Sequence, residues 1–126
     1  MDKSTILIIA IGGAIGSVLR VLLSIKFNGA SNSDFPFGTF GVNLIGAILI
    51  GVLMAYYDSG NLQNSLRFLL VAGFCGGFTT FSTFSFESMQ LIRNGNWLTA
   101  IVYVLLSMLV GIGLTALSYW SIKKII

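Results

Sequence analysis

The sequence has no histidine, a single cysteine and few charges: Asp, Glu, Lys and Arg make up 9% of its 126 residues. Soluble domains carry about 25% charged residues, and a water-facing surface cannot be built from so few. With no histidine and no thiol besides Cys75, an internal disulfide and a thiol–imidazole metal or redox centre are both excluded. Cys75 lies inside an apolar run and reads as a small apolar filler. There is no Gly-Lys-Ser phosphate cradle and no alternating pattern of a transmembrane β-strand. A net charge of +3 could suit a nucleic-acid partner, but Lys3, Arg20, Lys26, Arg67, Arg93, Lys123 and Lys124 are scattered. Their spacing fits the flanks of membrane spans and argues against nucleic acid.

What the chain does have is apolar length: 56% of its residues are hydrophobic. A helix needs roughly 20 apolar residues to cross the hydrocarbon core. Segments 6–25, 38–57, 68–86 and 97–122 meet that requirement, which predicts one all-α transmembrane domain over 1–126 with four spans. The connectors 26–37, 58–67 and 87–96 are short and carry turn residues, among them Asp58-Ser59-Gly60-Asn61 and Asn94-Gly95-Asn96. Lys3 before an apolar run could suggest a signal peptide. The run is too long for one, and Gly29-Ala30-Ser31 is a poor cleavage site, so the segment reads as a retained first span. Four spans put Lys3, Arg67, Lys123 and Lys124 on one side and Lys26 and Arg93 on the other, with Arg20 near the latter. That bias is weak. It slightly favours both termini inside and is compatible with insertion in both orientations.

Gly12 and Gly16, and again Gly73 and Gly77, stand at GxxxG spacing, suited to close packing of helices or subunits. The third span is the least ordinary. Gly76-Gly77 is a weak point in a helix, and Thr79-Thr80 follows. A break over Gly76–Thr79 would need its freed backbone groups satisfied by protein, water or an ion. The alternative is a continuous helix whose hydroxyls bond back to carbonyls one turn earlier. Phe81, Phe84, Ser85 and Ser88 then share one helix face. They are either ordinary apolar surface or a path on which electropositive ring edges meet an anion without a full charge to trap it. Thr39 and Asn43 lie one turn apart in the second span, and Asn43 either donates to a ligand or bridges two helices. Tyr103, Ser107 and Gly111 form a similar line in the fourth span. Arg20 and Glu87 sit near span ends, where snorkelling to the interface is the default.

Three motifs carry a resemblance: Gly12-Gly13-Ala14-Ile15-Gly16 with Arg20, Gly38-Thr39-Phe40-Gly41-Val42-Asn43-Leu44-Ile45-Gly46, and Gly76-Gly77-Phe78-Thr79-Thr80-Phe81-Ser82-Thr83-Phe84. In this order, on a four-span chain, they resemble the Fluc (CrcB) fluoride channels. The resemblance implies a dual-topology, antiparallel homodimer in the cell membrane with two fluoride pores, each built from both subunits. It implies that Phe81 and Phe84 flank the pore ions, that Asn43 lines the pore, and that Thr39, Glu87, Tyr103 and Ser107 form a polar track. It further implies that Ser82 and Thr83 are hydroxyl donors in the same motif and that Arg20 is a vestibule arginine. The backbone carbonyls of Gly76 and Thr79 would hold a central structural sodium ion. Some relatives carry a serine where this chain has Gly111, which puts the far end of the track in question. The implied activity is passive export of fluoride rather than enzymatic catalysis. A small multidrug antiporter would need a deeply buried carboxylate, whereas Glu87 lies at a span end. A non-transporting scaffold would not need Asn43 opposite Phe81.

Overall fold

A computed structural model describes residues 2–30 and 32–126. Met1 and Ser31, the last residue of the weak cleavage motif, lie outside the described residues. Among those described, every regular element is helical. Helix α1 spans Lys3–Gly29, α2 Phe37–Asp58 and α3 Asn64–Arg67. A π-helical segment, Phe68–Cys75, runs on into α4, Gly76–Phe78; α5 spans Phe81–Arg93 and α6 Trp97–Ile125. Four helical runs are long and apolar enough to cross a membrane: Lys3–Gly29, Phe37–Asp58, Asn64–Arg93 and Trp97–Ile125. All four exceed the expected spans at one or both ends, because polar flanking residues continue the helices into the interface.

Helix α1 starts at Asp2, whose carboxylate accepts the Thr5 amide at 3.1 Å. Hydrogen bonds from the Thr5 and Ser4 side chains hold this carboxyl below its ordinary pKa. Lys26 sits in the last turn, where it complements the helix dipole. The turns read from the sequence are present, with Gly60 at φ 75° and Gly95 at φ 82°, conformations that disfavour a side chain. At the Gly60 end, Tyr119 donates to Asp58 at 2.9 Å, Lys123 to Ser59 at 3.0 Å, and the Arg67 guanidinium lies 4.5 Å from the centroid of the Tyr57 ring.

Helix α1 packs along the first half of the third span, and α2 along α6. The two GxxxG pairs meet each other inside one chain. A methyl group on Gly12 or Gly16 would collide with the carbonyl oxygens of Leu69 and Phe74 respectively, and one on Gly77 with the carbonyl of Gly13. The open question of subunit or helix packing is thus answered for these glycines: they seat α1 against the third span. The outer faces of α1 and α6 carry exposed Leu, Ile and Val, as lipid-facing surfaces do.

The third span is broken, two residues later than its glycines suggest. Gly76 is helical (φ −62°, ψ −38°), while Thr79 (φ −86°, ψ 158°) and Thr80 (φ −148°, ψ 118°) are extended. β-Branched residues favour that extended conformation. Thr80 is also the N-cap of α5, its side chain accepting the Thr83 amide at 3.3 Å.

Candidate functional site

The break needs partners for its backbone, and α2 provides them. Asn43 Oδ1 accepts the Thr80 amide at 2.8 Å, and Asn43 Nδ2 donates to the Thr80 carbonyl at 3.2 Å. Both polar groups of one extended residue are met by one side chain, as the membrane interior demands. Asn43 is therefore a helix bridge. One of its two amide hydrogens is used by this pair of bonds, which leaves the second as a donor.

Around it lies an open groove of about 840 Å³, bordered by Asn43, Thr79, Thr80, Phe81, Phe84 and Ser107 among others. Phe81 projects strongly, 79% exposed, with its ring centroid 5.8 Å from that of Phe84. Phe84 in turn packs on Tyr103 at 5.0 Å. The hydroxyls of Ser85 and Ser88 bond back to the carbonyls of Phe81 and Phe84 at 2.9 and 2.8 Å, the ordinary helix reading for those two. Ser82 and Thr83 cluster with Thr80: their hydroxyl oxygens lie 3.3 and 3.0 Å from Thr80 Oγ1. Ser107 Oγ borders the groove, buried and without a hydrogen-bond partner. A buried hydroxyl of that kind costs stability unless something completes it.

Glu87 does not snorkel. Thr39 Oγ1 donates to its Oε1 and Tyr103 Oη to its Oε2, both at 2.8 Å. Tyr103 is fully buried and Thr39 is 3% exposed, so α2, α5 and α6 converge on this one carboxylate. Two hydroxyl donors offset the cost of drawing it inward. Arg20 also turns away from the default. Its Nε donates at 3.1 Å to the carbonyl of Gly77, which Ser17 Oγ reaches at 3.4 Å. A guanidinium at the C-terminal end of α4 complements the freed carbonyls there.

Gly76 and Thr79 both border the groove. The Thr80 amide that would close a helical turn onto the Gly76 carbonyl is instead given to Asn43. This leaves oxygen donors at a helix C-terminus, the type of site that suits a hard cation such as sodium. Among the described residues there is no group of three or more His, Cys, Asp or Glu that could hold a metal ion.

Thr115 escaped the sequence reading. It extends the line of Tyr103, Ser107 and Gly111 by one more turn, borders the groove, and places Oγ1 3.0 Å from the Ala47 carbonyl and 3.1 Å from that of Gly111. The four-residue spacing was available as a signal. At Gly111 nothing lies within 4 Å of where a side chain would begin.

The sequence is similar to known proteins along most of its length. The family described as CrcB-like protein, Camphor Resistance (CrcB), matches residues 7–119. A "Fluoride-specific ion channel FluC" of Leptospira interrogans is 45% identical over 123 residues, 97% of either chain. One of Phocaeicola vulgatus is 44% identical over 116 residues, 92% of this chain and 96% of the relative. One of Nautilia profundicola is 39% identical over 127 residues, 100% of this chain and 99% of the relative. With four helices able to span a bilayer and relatives matched along nearly its whole length, the chain is a multi-pass protein of the cell membrane and belongs to the CrcB family.

Proposed function

We propose that this protein is a fluoride-selective channel, a passive conductor rather than an enzyme. One observation carries the reading: Asn43, Phe81, Phe84 and Ser107 border a single groove at the break of the third span, all of them uncharged. An amide hydrogen, ring edges and a hydroxyl can each meet a small anion in place of water. None binds it so tightly that release fails. The naming of relatives at 38–45% identity as fluoride-specific channels supports the same reading.

The finer features belong to the proposal. The working unit is an antiparallel homodimer, whose second subunit covers the open groove and completes two pores. The hydroxyls of Ser82 and Thr83 supply further donors beside Phe81. Thr39, Glu87, Tyr103 and Ser107 form the polar track, and Arg20 draws anions toward a vestibule. The carbonyls of Gly76 and Thr79 would hold a central sodium ion, whose positive charge would offset the freed carbonyls at the break. Fluoride leaves the cell down its own gradient, after entering as the neutral acid and dissociating inside.

Proteoliposomes loaded with fluoride and chloride test the function. Rapid efflux of fluoride alone at ion-selective electrodes is the expected result. Equal efflux of both ions, or of neither, would overturn the reading.

A further inference from the structure

The chain has one proline, Pro36, set between Phe35 and Phe37, and none of these three residues borders the groove. Phe35 lies on the first connector, before the start of α2, and is half-buried. Its backbone is fixed by a tight turn. The Phe37 amide donates to the Phe35 carbonyl at 2.8 Å around Pro36, whose φ of −77° and ψ of 71° are those of an inverse γ-turn. The pyrrolidine ring sets that φ. The Pro36 carbonyl then accepts the Phe40 amide at 3.0 Å, so the turn leads directly into α2. Before the turn, Ser33 Oγ accepts the Phe35 amide at 3.1 Å. Asn96 Nδ2 donates to Asp34 Oδ2 at 3.1 Å, which ties this connector to the third.

The Phe35 ring packs on three others. Phe37 and Phe40, in the first turn of α2, lie 4.7 and 5.3 Å away between centroids. The third is Tyr103, 5.4 Å away and inclined by 76°, an edge-to-face pair. Tyr103 is fully buried, packs on Phe84 at 5.0 Å and donates its hydroxyl to Glu87. Phe84 in turn neighbours Phe81 at 5.8 Å. A continuous row of rings therefore runs from the connector, through Tyr103, to the two phenylalanines of the groove. A ring edge meets an anion only while the ring is aimed at it, and packed side chains behind a functional group keep it aimed.

We infer that Phe35 is a positioning residue for conduction. From the connector it holds Tyr103 in place, and through Tyr103 it holds the Phe84 ring and the Glu87 carboxylate. The inference rests on the fluoride-channel reading and adds to it a residue outside the groove. Pro36 serves the same end by fixing the turn that delivers the Phe35 ring.

Two substitutions and one spectroscopic label test this. Phe35→Ala removes the ring, and Phe35→Leu keeps apolar bulk without an aromatic edge. Both are reconstituted, and fluoride efflux per folded protein is measured well below each melting temperature. Efflux should fall at least tenfold in Phe35→Ala and by a smaller factor in Phe35→Leu. Efflux equal to the parent's in both would overturn the inference while leaving the channel standing. In parallel, 4-fluorophenylalanine is placed at position 84 and its fluorine NMR resonance recorded in fluoride-free buffer. The resonance should shift or split in both variants, because the Tyr103 ring beside it has moved. A resonance at the parent's position in both would overturn the positioning role even if efflux fell, since packing loss alone would explain the fall. Should Phe35→Ala fail to fold, Phe35→Leu carries both measurements. Absence of fluoride efflux from the unsubstituted protein would overturn the channel reading and the conduction role together, and the resonance would still decide whether Phe35 holds Phe84.

Discussion

Asn43 and Thr80, on different spans, exchange two hydrogen bonds, so that one amide side chain completes the backbone at the break in the third helix. The break depends on this contact. An extended residue at membrane depth without it would leave an N–H and a C=O unsatisfied, each costing about 1–3 kcal/mol. Asn43→Ala should therefore lower the detergent melting temperature and cut fluoride flux at least tenfold. Asn43→Asp retains an acceptor for the Thr80 amide and loses the donor to its carbonyl. Its stability should fall between the two, with flux still low because a carboxylate repels the anion. Melting curves and efflux rates for the three proteins check both points.

Phe81 and Phe84 should separate flux from stability. Phe81 is 79% exposed in the chain, whereas Phe84 packs against Tyr103 and the small core formed by Leu91, Ala100 and Tyr103. Phe81→Ile should reduce flux strongly and barely shift the melting temperature of the subunit. Phe84→Ala should do both, with a stability loss toward the 3–5 kcal/mol range of buried aromatic truncations, reduced by its partial exposure. Flux retained in both variants would remove the rings from the path.

The carboxylate of Glu87 couples Thr39 to Tyr103, which a double-mutant cycle can measure. Thr39→Val and Tyr103→Phe each remove one hydroxyl donor to the same group. Hydrogen bonds to charged groups contribute about 1.5–3 kcal/mol, and partners within one network do not add. The double variant should differ from the sum of the two singles by at least 0.5 kcal/mol in unfolding free energy, roughly the lower bound for coupled pairs. Simple additivity would mean that the two donors act independently.

Glycine substitutions should divide by location. Gly12→Ala and Gly77→Ala force a methyl group into a backbone carbonyl across the α1 interface. Overpacking of that kind costs about 1–3 kcal/mol, with the upper part expected here because backbone cannot rotate away. Gly111→Ser has open space and should fold as well as the parent. Thermal melts of the three variants distinguish the classes, and a destabilised Gly111→Ser would show that this space is filled in the assembled protein.

Much of this fold is legible in the sequence, because span length and turn chemistry are local. The four apolar runs, the Gly60 and Gly95 turns and the weak point at Gly76-Gly77 all follow from nearby residues. The exact position of the break does not. Gly76-Gly77 looks like the weak point, but what ends the helix is Thr80 bonding to Asn43, 37 residues earlier. For Glu87 and Arg20 snorkelling is only the local default, for the same reason: their partners, Thr39 and Tyr103 for one and Gly77 for the other, are distant in sequence. The GxxxG pairs announce close packing but not with which partner. That Gly12 and Gly16 meet the third span of the same chain depends on how the spans assemble.

The central claim is selectivity for fluoride, and a bi-ionic reversal potential tests it most directly. The protein is incorporated in a planar bilayer with fluoride and chloride gradients set in opposite directions. Expected is a current that reverses at the fluoride equilibrium potential, shifting by about 59 mV for each tenfold change in the fluoride gradient alone and insensitive to chloride. A reversal that follows chloride, or an absence of fluoride current, would contradict it.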